Sequence, residues 1–433
     1  MDLDEWVPTE RLAGWVGDAT DALLTTIADF DDDDPRWVGP YLPTVNPPIW
    51  EIAHAAWFAE WFVLRQLHGD AALMADVDAR YDSAAVPHVT RWQLAYPDAG
   101  ATRGYVRHVG RALADRVLDD GGLDSTAYYT LYAVMHHDAH TEALTYTRQT
   151  LGWSPPPDRP RVPVPAAAGG DRDLEVAGGR LLLGASRTQP FVMDNERWAH
   201  PVAVAAFSMA AEAVTMDQFR AFVADGGYQR AELWSPDGWA WRHEVGAAHP
   251  VYWRQDETGW QHRCFDEWRA VDQDADLAMV HVNWWEAQAY CTWAGRRLPT
   301  EAEWERAATT GADGVKQWWY PWGPRDAEPD DAALDGRSGG VVPVAAFAAG
   351  DGPWGHRQLI GNVWEWTAST FEPFPHFEPD AYRDNSEPWF HTRKVLRGGS
   401  WATRARYVRS TFRNYFEPDR RDVFAGFRTC AVD

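Results

Sequence analysis

Two histidines four residues apart stand in a stretch of helical periodicity, in the pattern His136-x-x-x-His140-x-Glu142. Residues at that spacing share one face of a helix, so both imidazoles can aim at a common point, while Glu142 is turned away from it. A third ligand for a metal ion must then come from another helix, and His54 is the best candidate. Alone, such a pair is as often a coincidence of surface or core as a metal site. Zinc, iron and an ordinary packed pair all remain open at this point.

The elements that must carry these residues can be read from periodicity and punctuation. Residues 1–153 read as helical, with apolar positions recurring at helical spacing, and suggest a four-helix bundle. Asn46-Pro47-Pro48 predicts the start of its second helix, with Asn46 as the cap and proline at the first helical position, running to about Gln66. His54 then sits two turns in. The last helix is predicted from about Ser125 to Thr150, closed by Gly152 and the prolines at 155–157. Residues 154–174 are rich in Pro, Gly and Ala and read as a linker. Residues 175–433 form a second domain of short strands and loops, in which only 215–225 and 284–309 read clearly as helices.

With 433 residues, 45% of them hydrophobic, the chain can bury substantial cores. Forty Lys and Arg against 64 Asp and Glu give a formal charge of −24, which argues against nucleic acid or an anionic membrane as partner and favours a small-molecule substrate. The acidic start Met1-Asp2-Leu3-Asp4-Glu5 lacks the basic and apolar regions of a signal peptide, and no apolar run approaches a membrane span, so a cytoplasmic protein is expected. Cys264, Cys291 and Cys430 form no CxxC pair and are expected to be reduced thiols.

A series of phrases in the second half resembles the formylglycine-generating-enzyme-like, C-type-lectin-related fold over roughly residues 175–431. It includes Val214-Thr215-Met216-Asp217-Gln218-Phe219, His281-Val282-Asn283-Trp284-Trp285-Glu286-Ala287, the run Arg297-Leu298-Pro299-Thr300-Glu301-Ala302-Glu303-Trp304-Glu305, Gly361-Asn362-Val363-Trp364-Glu365-Trp366, Arg397-Gly398-Gly399-Ser400-Trp401 and Gly426-Phe427-Arg428. A scaffold does not dictate its chemistry. The two cysteines with which formylglycine-generating enzymes bind copper are replaced here by Thr403 and Val408, which argues against that activity.

The first half resembles the DinB-like metal-binding bundle. The fusion of the two is similar to the iron-dependent sulfoxide synthases of ergothioneine biosynthesis, through Asn46-Pro47-Pro48-Ile49-Trp50-Glu51-Ile52-Ala53-His54 and His136-His137-Asp138-Ala139-His140-Thr141-Glu142. The overall class is α+β. The resemblance implies His54, His136 and His140 as ligands of Fe(II), O2 as co-substrate, and hercynine, the trimethylated betaine of histidine, as acceptor. It places Asn414 and Tyr415 at hercynine, and Tyr382 as the proton donor in the oxygen step. His137 and Glu142 are read as bracing or orienting residues. Imidazole C2 is not readily attacked by a chalcogen nucleophile, so bond formation there calls for oxidation. Iron supplies it, and three histidines leave up to three positions open.

The chalcogen donor is expected to face Arg91, His88 and Phe416. The branch that uses γ-glutamylcysteine grips its donor with two arginines and an aspartate; here Arg91 matches one arginine, while His88 and Phe416 replace the other two groups. That loss of charge makes the dianionic peptide a poor match. Free cysteine and a selenosugar remain, and the segments Tyr81–Leu94 and Glu142–Leu151 resemble selenoneine synthases more closely, which favours the selenosugar. Two other readings stand beside this one: a zinc-dependent DinB-like thiol transferase using the same histidines, and a non-catalytic binding module on a metal-stabilised bundle.

Overall fold

The computed structural model describes residues 7–120, 124–157, 161–166, 169–170, 172–316 and 319–432. The acidic start, Met1 to Glu5, lies outside them. The chain divides into two compact units, Met1–Arg159 with Thr188–Phe191, and Pro160–Arg187 with Val192–Asp433.

The first unit is helical: α1 (Thr9–Thr25), α2 (Pro48–Ala59), the short α3 (Val77–Tyr81), α4 (Ala99–Asp120) and α5 (Asp124–Leu151). Both α1 and α2 pack against α4 and α5. Every residue of α2 is buried, and the helix continues as a π-helical segment over Glu60–Arg65, a form that concentrates at functional sites. Its cap differs from expectation. Pro47 is the N-cap and Pro48 the first helical residue, with no side-chain cap, so the Asn46 amide is left for other work. The end of α5 is as its sequence predicts: Gly152 takes φ 66° and the Trp153 N–H returns to the Arg148 carbonyl at 2.9 Å, a glycine-dependent C-terminal motif. Thr188–Phe191 belongs with this unit because the Phe191 ring packs on Tyr128, centroids 5.1 Å apart.

The second unit is built from short strands. One sheet runs β1 (Asp173–Val176), β4 (Phe207–Ala210), β13 (Cys430–Ala431), β8 (Arg296–Arg297); another runs β11 (Asn414–Phe416), β10 (Lys394–Arg397), β9 (Trp364–Thr370), β12 (Ala425–Gly426). Two smaller sheets pair β2 (Gly179–Leu183) with β3 (His200–Val204), and β5 (Trp253–Asp256) with β6 (Gly259–Cys264) and β7 (Glu267–Ala270). Three of the phrases are helix starts. Thr215 with Gln218, Asn283 with Glu286 and Thr300 with Glu303 are capping boxes opening α6 (Met216–Ala224), α8 (Trp284–Trp293) and α9 (Glu301–Thr309). The predicted helix over 284–309 is thus two helices, broken after Trp293, where Gly295 turns at φ 65°. A further helix, α7 (Pro236–Glu244), is absent from the sequence reading, although Ser235 caps it and Pro236 opens it.

The remaining phrases meet as buried ion pairs. Arg428 and the Trp304 indole both donate to Glu365; Arg397 reaches Glu301 and Glu305, and Arg413 also reaches Glu301. Gly398 is required beside them, since at φ 95° a Cβ would stand 2.5 Å from the Leu359 carbonyl. Cys291 and Cys430 are buried free thiols, and burial pushes both up, Cys430 to about 12. Among the described residues no helix is long and apolar enough to cross a membrane.

Candidate metal centre

His54 from α2 and His136 and His140 from α5 are brought together: one ring nitrogen of each lies within 4.8 Å of the others. His54 is buried, and the other two are partly exposed. Its Nδ1 lies 2.7 Å from the Tyr81 carbonyl. A carbonyl can only accept, so Nδ1 carries the proton and Nε2 keeps a bare lone pair. His140 is held the same way, with Nδ1 at 2.6 Å from the Glu51 carboxylate. The Nε2 atoms of His136 and His140 face each other at 3.1 Å. One ion could take both nitrogens, since two metal–imidazole bonds of ~2.1 Å can span up to about 4.2 Å.

Electrostatics agree with ligation. Burial first, and then the neighbouring His140, push His54 and His136 well below the ordinary imidazole value, into the neutral form that binds metal. Burial alone would raise Glu51, but His140, then Asn46 and Arg91, hold it below the usual carboxylate range. Aromatic walls fix the rings: His54 stacks on Trp50 at 4.5 Å and 9°, and His136 on Phe58 at 4.0 Å and 16°. The donor set therefore fits a divalent transition metal, with orienting partners already in place.

Sequence reasoning missed the chief orienting group. The carboxylate at His140 belongs to Glu51, on α2, while Glu142 is buried along α5. The signal was available: Glu51 and His54 are three residues apart and share a helix face. His137 turns off this face, its Nδ1 on the Ala133 carbonyl at 2.8 Å.

Arg91 and His88 lie on one 3-10 segment, His88–Gln93. His88 Nε2 bonds the Val45 carbonyl at 2.7 Å, and its ring contacts Tyr41 and Trp92. Arg91 points inward, 9% exposed, to Asn46 and Trp50.

In the second unit Asn414, Tyr415 and Phe416 make up β11, paired with β10. Tyr415 stacks on Phe371 at 4.1 Å and 17°, and its hydroxyl donates to the Asn385 carbonyl. Asn414 Oδ1 accepts from the Tyr415 N–H, and Arg420 covers Phe416. Tyr382 precedes the 3-10 turn Arg383–Asn385, and burial pushes the neighbouring Tyr415 phenol up. Thr403 and Val408 are buried, Thr403 accepting from the Ser400 N–H.

A three-histidine helical bundle joined to this irregular sheet domain defines a class of two-part metalloprotein, and comparison with known proteins narrows it. Residues 161–432 match the family model of the Sulfatase-modifying factor enzyme 1-like domain. The chain is 34% identical to the hercynine oxygenase of Mycolicibacterium smegmatis, over 98% of its own length and 99% of that protein. It is 36% identical to the hercynine oxygenase of Mycolicibacterium thermoresistibile, over 96% of its length and 94% of that protein. The formylglycine-generating enzyme of Thermomonospora curvata is 32% identical, but over 60% of this chain. The chain belongs to the hercynine oxygenase family.

Proposed function

We propose that this protein is an O2-dependent non-haem iron enzyme that joins selenium or sulfur to C2 of hercynine, with a selenosugar as preferred donor over free cysteine. The single observation that carries the reading is the clustering of His54, His136 and His140 in a chain that spans 99% of a hercynine oxygenase. Fe(II) bound there would supply the oxidising chemistry that replaces the C2–H bond by a carbon–chalcogen bond, with O2 as electron acceptor.

The chain's own residues do the rest. Glu51 and the Tyr81 carbonyl hold two imidazoles with Nε2 free. Asn414 and Tyr415 position hercynine, whose quaternary ammonium has no N–H to donate and is suited to an aromatic face. Tyr382 donates a proton from its phenol Oη. The branch that uses a dianionic donor carries charged residues at the sequence positions of His88 and Phe416, and their replacement here supports a neutral, hydroxyl-rich donor.

The test offers Fe(II)-loaded protein hercynine and O2 with selenosugar, cysteine and γ-glutamylcysteine together, read by product mass. A C2–selenium adduct should dominate, and His140→Ala should form none. Preference for γ-glutamylcysteine would overturn the donor assignment; oxygen-independent activity with zinc would overturn the iron reading.

A further inference from the structure

We propose that Arg91 and Asn46 are positioning residues of the metal centre, one guanidinium bracing two of its three histidines, rather than parts of a clamp for a donor carboxylate. The inference rests on the metal reading above.

The first branch runs through hydrogen bonds. Arg91 Nη1 donates to Asn46 Oδ1 at 2.7 Å; Asn46 Nδ2 donates to Glu51 Oε2 at 2.5 Å; Glu51 Oε1 accepts from His140 Nδ1 at 2.6 Å. Each link uses a group with only one workable polarity. The guanidinium can only donate and the ionised carboxylate can only accept, so the amide between them is fixed in orientation. Asn46 is available because Pro47 and Pro48 open α2 without a side-chain cap.

The second branch runs through stacked rings. Arg91 Cζ lies 3.7 Å from the centroid of Trp50, whose other neighbour in the stack is His54 at 4.5 Å. Cation, indole and imidazole thus form one pile, with the Trp50 N–H tied to the Arg80 carbonyl at 2.7 Å.

A clamp for a carboxylate needs two parallel N–H groups at one open edge of the guanidinium. Arg91 is 9% exposed, and its Nε and Nη2 are engaged by the Val86 carbonyl at 3.3 and 3.1 Å, with Ser83 O at 3.4 Å from Nη2. Its polar edges are committed inside the bundle.

Asn46→Leu and Arg91→Met should each weaken Fe(II) binding about 10-fold in anaerobic chelator competition, the low end of the cost of losing an outer partner of a metal ligand, since they act through Glu51 and Trp50. The KM for the chalcogen donor at saturating Fe(II) should stay unchanged. Because Asn46 reaches the histidines only through Glu51, adding Asn46→Leu to Glu51→Gln should cost less than about threefold more, a non-additivity expected within one network. Unchanged Fe(II) affinity with a raised donor KM in Arg91→Met would return Arg91 to the donor pocket, and full additivity of Asn46→Leu with Glu51→Gln would overturn the hydrogen-bonded branch of the brace. If Arg91→Met does not fold, Asn46→Leu, at a half-buried position, carries the same comparisons. Should wild type and His140→Ala bind Fe(II) equally, the metal reading itself falls, an outcome distinct from failure of the brace.

Discussion

Burial turns two histidines of the second unit into acid sensors of its fold. His356 is wholly buried; burial first, and then the Arg428 guanidinium, push it down to about 3. Burial likewise takes His281 to about 4. Both lie below the unfolded value of about 6.5, so between the two values the unfolded chain binds more protons. Their stabilisation is whole above pH ~6.5 and is lost as pH falls toward the folded values. Between pH 7 and 5.5 the wild type should lose about 1 kcal/mol more than His356→Gln in denaturant titrations; parallel curves would show that His356 protonates within the fold. At the candidate centre, legibility followed spacing. His136 and His140 declared themselves as a pair, and His54 as their complement, because helical periodicity fixes where side chains point. Asn46 did not: it reads as a helix cap, and only the two prolines behind it, which leave it no capping role, release its amide for Glu51.

The element that carries Tyr382 is held from below by one carboxylate. Asp194, itself fully buried, accepts from the Asn385 amide, the Ser386 hydroxyl and the Asp380 N–H, while Arg197 pairs with Asp380. Truncating such an acceptor strands the buried Ser386 hydroxyl at ~1–3 kcal/mol and leaves the half-buried Asn385 amide and Asp380 N–H without the partner that ties them to the core. Asp194→Ala should therefore speed hydrogen exchange over residues 380–390 by tenfold or more while leaving α8 protected; equal protection in both proteins would show that the turn holds itself. Elements of this kind were the least legible. Segment 284–309 has one continuous helical pattern, and its division came from Gly295, a single residue that needs φ > 0. The segment 236–244 is short and tryptophan-rich, and its cap of Ser235 and Pro236 is a weak signal without periodicity behind it.

The whole molecule sums two units with separate logic. The bundle was readable as a class because long helices repeat their pattern for many turns. The sheet unit gave almost no periodic signal, since strands of two to seven residues are too short to alternate, and its fold became legible through phrases whose charged residues meet in its core. If the metal belongs to the first unit alone, Fe(II) at 100 times its dissociation constant should stabilise that unit by about 2.7 kcal/mol. Hydrogen exchange should then slow over residues 46–61 and 131–145 and not over 283–305, whereas a response confined to the second unit would place the ion elsewhere. One consequence concerns the working life of the enzyme. On the proposed function the protein would handle oxygen and a chalcogen nucleophile, reagents that threaten its own thiols with sulfenylation and mixed disulfides. The thiols of Cys291 and Cys430 are sealed in the core and kept protonated by burial, and burial raises Cys264 as well, so the thiolate that those side reactions require is scarce. In its own composition the chain would be a poor substrate for the chemistry proposed for it.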